Sequence, residues 1–137
     1  MQRIIRTALF ALAGIVALTG CATTGTLVAQ NLLSTGMYKK EFIPDPETYF
    51  TQVWAVEDKG QLRVSGNLRL KGFIGLNVPD YVEVALLKPD GAIIDAKKVA
   101  FYPQHLHGHE GHMEARFRAT FAQAPEAGTT IRLSNVN

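Results

Sequence analysis

The sequence predicts an all-β fold, a small antiparallel β-sandwich of six to seven strands over residues 50–137. Apolar and polar residues alternate with a period of two in most of this region, as in strands that bury one face. Turn-forming residues separate the alternating segments, and no helix-length segment lies between them, so the pairing is expected to be antiparallel. A small β-barrel is the alternative fold.

The strands follow from this alternation. The clearest covers residues 61–71, where every second residue is apolar or glycine: Leu62, Val64, Gly66, Leu68 and Leu70. A strand over 53–56 precedes it, and a hairpin turn at Glu57-Asp58-Lys59-Gly60 joins the two. Five aromatic side chains are expected in the core, and a platform for a ligand is the alternative: Trp54, Tyr81, Phe101, Phe117 and Phe121.

Four further strands are predicted over 81–87, 92–102, 112–121 and 129–136. The first two flank a turn in which Pro89 presets φ and Gly91 tolerates positive φ. The alternation of apolar and polar residues shifts by one position between Ile94 and Val99, which predicts a β-bulge in the second of these strands. The stretch over residues 81–92, Tyr-Val-Glu-Val-Ala-Leu-Leu-Lys-Pro-Asp-Gly-Ala, resembles strands of immunoglobulin-like and fibronectin-III-like bacterial surface domains.

The N-terminal segment has a different character. Residues 1–6 carry Arg3 and Arg6 and no acid, residues 7–18 are an apolar run, and Leu18-Thr19-Gly20-Cys21 follows. A basic head and a short apolar run are typical of a secretory signal peptide, which we expect over residues 1–20. The apolar run is shorter than the roughly 20 residues that a spanning helix needs.

Leu18-Thr19-Gly20-Cys21 resembles the lipobox of bacterial lipoproteins. The resemblance implies cleavage between Gly20 and Cys21, a diacylglyceryl thioether on Cys21, and acylation of the freed amine, with palmitate as a typical acyl chain. Two or more acyl chains anchor a protein stably to a membrane. The expected location is therefore the cell envelope on a lipid anchor, facing the periplasm, and Ala22 after the cysteine favours the outer membrane in a Gram-negative bacterium.

Residues 21–49 are predicted to be the lipidated tether and lead-in, with a short helix or an ordered strap over 27–37. After residue 20 the chain carries 14 − 2 = 12 basic and 12 acidic side chains. This balance argues against a nucleic-acid partner, whose binding depends on phosphate neutralisation. No glycine-rich phosphate loop follows a strand, which argues against a nucleotide.

All four histidines of the chain lie between residues 105 and 112. Alternate residues of an extended segment point to one side, so His105, His107 and His109 can converge, with His112 folding back across a glycine. Neutral imidazole is a common ligand of copper, zinc and nickel. A functional site for one of these ions, weak incidental binding, and a solvated loop without any metal role all remain open.

No other part of the sequence indicates a cofactor, and no serine, carboxylate pair or phosphate loop is arranged for catalysis, so an enzyme is not expected. The connection over residues 73–79 is unusually apolar, and Phe73, Ile74 and Leu76 are candidates either for a contact with an envelope protein or for a cover over the core. The sequence therefore predicts a lipid-anchored, non-enzymatic binding or structural module. Metal binding through the histidine segment is the alternative.

Overall fold

The computed structural model describes residues 29–72, 78–106 and 113–137, and within them the chain forms eight strands and no α-helix. The strands are β1 (Lys39–Phe42), β2 (Thr48–Asp58), β3 (Gln61–Leu70), β4 (Tyr81–Leu87), β5 (Ile93–Val99), β6 (Phe101–Tyr102), β7 (Glu114–Phe121) and β8 (Thr130–Val136). The described residues contain no helix long and apolar enough to cross a membrane.

The strands form two four-stranded sheets that pack face to face. Sheet 1 has the order β1-β8-β4-β5, and sheet 2 has the order β2-β3-β7-β6. The predicted all-β sandwich is confirmed, and the alternative of a closed barrel is wrong, because each sheet has two separate edge strands. The described residues hold eight strands rather than six or seven, since β1 and β6 are short strands without an alternating pattern.

One pair of strands departs from the predicted antiparallel arrangement. β1 runs parallel to β8, with Lys39 opposite Thr130 and Phe42 opposite Leu133. All four side chains of β1 are exposed, so no apolar alternation marked this strand in the sequence. β1 and the start of β2 precede residue 50, and the sandwich therefore includes part of the segment expected to be the lead-in.

The core lies between the inner faces of the two sheets. In the central strands β3, β4, β7 and β8, alternate side chains point inward and are almost fully buried, as the period of two predicts. These inward residues include Leu62, Val64, Leu68, Val82, Val84, Leu86, Ala115, Phe117, Ala119, Phe121, Ile131 and Leu133. Phe101 and Phe117 lie in this core as expected, and the ring of Phe117 packs edge-on against Phe50, with ring centroids 5.8 Å apart.

The prediction of a single strand over 92–102 is wrong. The segment forms two strands in different sheets, because the chain leaves sheet 1 after Val99 and enters sheet 2 at Phe101. This crossing buries Phe101 in the core. The predicted bulge is present nearer the start, where Leu87 pairs with Ile93 and Leu86 with Asp95. Corners of this kind are common where a strand passes from one sheet of a sandwich to the other.

Residues 31–38, in the described part of the lead-in, form an ordered strap of turns beside the outer edge of β2, which is one of the two forms predicted over 27–37. The side chain of Asn31 takes the place of a neighbouring strand: its Nδ2 donates to the Val53 carbonyl (3.1 Å), and its Oδ1 accepts from the Ala55 N–H (3.0 Å).

Tyr38, at the end of this segment, lies in the core, and its hydroxyl donates to the Pro125 carbonyl. Burial, and secondarily the charge of Glu57, raises the pKa of Tyr38.

Candidate functional site

A groove of about 1080 Å³ lies over sheet 2. All four strands of the sheet and the segment after β6 line it, so a hydrogen-bonded sheet supports most of its surface. Its lining residues are Gln52, Trp54, Ser65, Gly66, Asn67, Ala100, Phe101, Tyr102, Pro103, Gln104, His105, Arg116, Phe117 and Arg118.

The strand register places the polar lining residues on the outer face of the sheet, in two rows. One row runs from Trp54 through Ser65 to Arg118. The other runs from Asn67 through Arg116 to Tyr102. Their chain neighbours point into the core, so alternation directs the residues of these rows away from it.

Two aromatic side chains mark opposite sides of the groove. Trp54 on β2 is 48% exposed and Tyr102 on β6 is 81% exposed. Three strand spacings, about 14 Å, separate their strands. Trp54 was expected in the core together with Tyr81, and both expectations are wrong: each aromatic sits on an outward position of its strand, and Tyr81 is 44% exposed.

The groove carries positive charge. Arg116 and Arg118 both line it, and no acidic residue is among the described residues that do. Within the described part of the chain the one ion pair joins Arg69 to Glu114, at 3.8 Å, and it involves neither groove arginine. In a chain whose charges balance after residue 20, this face therefore brings together two guanidinium groups that form no ion pair with a described residue.

A hydrogen-bonded set of side chains fixes one side of the groove floor. The Nδ2 of Asn67, which is only 7% exposed, donates to Gln52 Oε1 (3.0 Å) and to Glu114 Oε1 (2.6 Å). Gln52 lies at a bulge of β2 and has a φ of 49°. Left-handed backbone is uncommon for residues other than glycine and, where it occurs, often belongs to a ligand-contacting segment.

These groups suit recognition more than reaction. Exposed tryptophan and tyrosine faces, guanidinium forks and side-chain amides bind a ligand through stacking and hydrogen bonds. Among the described lining residues, no nucleophile is held by a neighbouring base within hydrogen-bond distance.

Comparison with protein-family models, with curated proteins and with solved structures gives no match for this chain. What the groove binds must therefore follow from the chemistry of its own residues.

Most residues singled out in the sequence lie outside the described part of the chain. These are Cys21 with the cleavage position after Gly20, the apolar residues Phe73, Ile74 and Leu76, and the histidines His107, His109 and His112. His105 is described: it is exposed and lies at the rim of the groove. Among the described residues there is no group of three or more metal-ligating side chains. The envelope-protein contact and the metal site stay predictions.

Sequence reasoning missed the groove itself. The outward positions of Arg116 and Arg118 follow from the alternation in β7, but nothing in the sequence marks them as neighbours of Trp54 and Tyr102. The available signal was the polarity of the outer face: three of the four lining residues on β3 and β7 that point outward are Asn or Arg.

Proposed function

We propose that this protein is a lipid-anchored, non-enzymatic binding module of the bacterial cell envelope, which holds its ligand in the groove over sheet 2. The observation that carries the proposal is the groove: on one sheet face it has two exposed aromatic side chains and two arginines that form no ion pair with a described residue. Tryptophan, tyrosine and arginine are also the residue types that contribute most binding energy at recognition surfaces.

The lead-in supports a function close to the membrane. Asn31 is bound to the edge of β2 at the same bulge that carries Gln52 and Trp54. Nine residues lie between Cys21 and Asn31, and the ten steps from residue to residue span at most about 35 Å when fully extended. A lipid on Cys21 would thus hold the groove within a short distance of the membrane surface.

The proposal is tested by photo-crosslinking in intact cells of the source bacterium. Ser65 lies in the groove and Ser134 lies on the outer face of sheet 1, so the two serines form a matched pair of positions on central strands. A diazirine-bearing residue at position 65 is expected to crosslink to one discrete envelope component, and the crosslink should disappear in the Trp54→Ala background.

The same residue at position 134 serves as the control and should give no such product. Equal crosslinking from both positions, or none from position 65, would contradict a ligand in the groove. The anchor is tested separately, because Cys21→Ser should leave an unlipidated precursor; lipid labelling of that variant would contradict the lipobox.

Metal binding through the histidine segment is a second candidate. The favouring observation is that all four histidines fall within eight residues, and that the first of them, His105, is exposed at the rim of the groove. Calorimetry with copper, zinc and nickel salts should then show sub-micromolar, stoichiometric binding. Replacement of His105, His107, His109 and His112 by alanine should abolish it; weak binding that survives the replacement would rule the site out.

A further inference from the structure

We infer that the ligand of the groove is an acidic oligosaccharide, a chain of sugars that carries carboxylate or sulfate groups. This inference rests on the proposed function and names the chemical class of ligand for the same groove. It follows from the charge of the groove, from its two aromatic faces, and from the way its floor is built.

The charge selects an anion. Arg116 and Arg118 are two residues apart on β7, on the same face, so their Cα atoms lie about 7 Å apart. Each guanidinium presents a planar fork of donors that matches a carboxylate or another oxyanion. No described lining residue is acidic, and the Glu114 carboxylate on the same face is already bound to Asn67 and Arg69. A ligand with repeated negative groups can engage both arginines.

The aromatic side chains select a ligand with rings that are apolar on one face and polar at the edge. Trp54 and Tyr102 present large exposed surfaces, each an apolar body with a polar tip. A sugar ring packs its C–H face on such a surface while its hydroxyls remain free for hydrogen bonds. The distance between the two strands, about 14 Å, requires a ligand longer than one sugar to reach both.

The floor of the groove disfavours a peptide. Peptides that bind sheets add to a free strand edge through their main chain, but the floor is a sheet face whose backbone groups are already paired. The outer edge of β2 is occupied by Asn31, and the edge strand β6 is two residues long and is followed by Pro103, which has no N–H to donate. The floor side chain of Ser65 is small and polar, and suits a hydroxyl group rather than an apolar anchor.

Trp54 gives a direct readout, because it is the one tryptophan of the chain and lies in the groove. Protein expressed from the full chain and purified in mild detergent is titrated with oligogalacturonate, oligomannuronate, and hyaluronan and heparin oligosaccharides, and the tryptophan fluorescence is followed. At least one acidic oligosaccharide should bind saturably. Methyl-esterified oligogalacturonate, cello-oligosaccharide and hexaglutamate should each bind at least tenfold more weakly.

Variants assign the binding to the groove. Arg116→Gln and Arg118→Gln should each weaken binding about 10-fold to 100-fold, the usual effect of losing a charged hydrogen bond. Tyr102→Ala should weaken it as well. Arg132→Gln, on the outer face of sheet 1, is the matched control and should leave binding unchanged. All four side chains can be changed without opening the core, and an unchanged unfolding temperature checks that each variant is folded.

Three results would overturn the inference: no acidic oligosaccharide binds, the methyl-esterified sugar binds as tightly as the acid, or hexaglutamate binds through the arginines while the sugars do not. The proposed function is judged separately by the crosslink from position 65. If that crosslink forms and depends on Trp54 while no acidic sugar binds, the ligand class is wrong and the binding module stands. If neither occurs, both fail.

Discussion

The side-chain amide of Asn67 donates to Gln52 across 3.0 Å and to Glu114 across 2.6 Å, so that one buried nitrogen ties β2, β3 and β7 together under the groove. Both of its partners accept through oxygen, and both lie on the outer face of sheet 2. The bond to Gln52 also holds the residue whose left-handed φ of 49° forms the β2 bulge beside Trp54.

Asn67→Asp should therefore destabilise the fold although the two side chains have nearly the same shape. The change replaces the donor by an oxygen that faces Gln52 Oε1 and the Glu114 carboxylate. Loss of a buried hydrogen bond partner costs about 1–3 kcal/mol. Urea unfolding at pH 7 measures the loss. A variant as stable as the wild type at pH 7 would contradict this role of Asn67.

Gly66→Ala should also destabilise the fold, through packing. Gly66 lies opposite Phe117 in the register of β3 and β7, and a Cβ at this position would come within 2.9 Å of Phe117 Cζ and 3.1 Å of a Val53 methyl. Forcing one methyl into a packed core costs about 1–3 kcal/mol. Thermal or urea unfolding measures the change.

Gly72→Ala is the matched control, since nothing lies within 4 Å of a Cβ placed there. A second check is the double variant Gly66→Ala with Phe117→Leu, whose destabilisation should be smaller than the sum of the two single effects. Strict additivity would show that the ring of Phe117 is not what excludes a side chain at position 66.

Asp45 should contribute to the pH dependence of stability. Burial raises the pKa of Asp45, but hydrogen bonds from the Glu47 and Thr48 N–H groups and from the Asn135 and Thr48 side chains outweigh burial, and the pKa falls below its ordinary value of 3.8. The charged form is thus favoured by folding. Its stabilisation is complete above the ordinary pKa and is lost as the pH falls through the lower, folded-state pKa.

Asp45→Asn tests this because it keeps an oxygen acceptor and removes the charge. The free energy of unfolding should be lower than in the wild type at pH 7, and the gap between the two proteins should close as the pH falls below about 3.8. Urea unfolding across this pH range measures it. If the difference in unfolding free energy between the two proteins stays constant with pH, the charge of Asp45 does not contribute to stability.

The hairpin between β2 and β3 offers a stabilising change. Lys59 and Gly60 both have positive φ, at 51° and 79°, as the two central residues of a type I′ turn require. Asparagine tolerates this conformation better than lysine, so Lys59→Asn should raise the free energy of unfolding by about 0.5 kcal/mol. Gly60→Ala should lower it by about 1 kcal/mol. If Lys59→Asn destabilises the protein, the positive φ of Lys59 does not lower the stability of the wild type.

The strands with clean alternation could be predicted from the sequence. The predicted segments 61–71 and 81–87 agree with β3 and β4 to within one residue, because both strands bury one complete face. Strand β1 could not be predicted, since all its side chains are exposed and its place beside β8 comes from parallel pairing. The crossing between the sheets at Ala100 could not be predicted either, because a shift in the alternation of apolar residues results both from a bulge and from a change of sheet.

The groove depends on contacts that have no local signature. In an unbroken strand Trp54 would share the inward face of Phe50, but the bulge between Thr51 and Trp54 shifts the alternation of β2 and turns Trp54 outward. Tyr102 reaches the same face only because β6 joins the edge of sheet 2 after the crossing. Pairings between residues some fifty positions apart thus create the site.

The central claim is that a ligand covers the groove in the envelope, and oxidative footprinting of intact cells tests it most directly. Trp54 and Tyr102 are exposed in the isolated protein, and Tyr81 on sheet 1 is exposed to a similar degree as Trp54. We predict that Trp54 and Tyr102 are oxidised several-fold more slowly in cells than in the purified protein, while Tyr81 reacts equally in both. Equal oxidation of Trp54 and Tyr102 in cells and in the purified protein would show that the groove is empty in the envelope and would contradict the account.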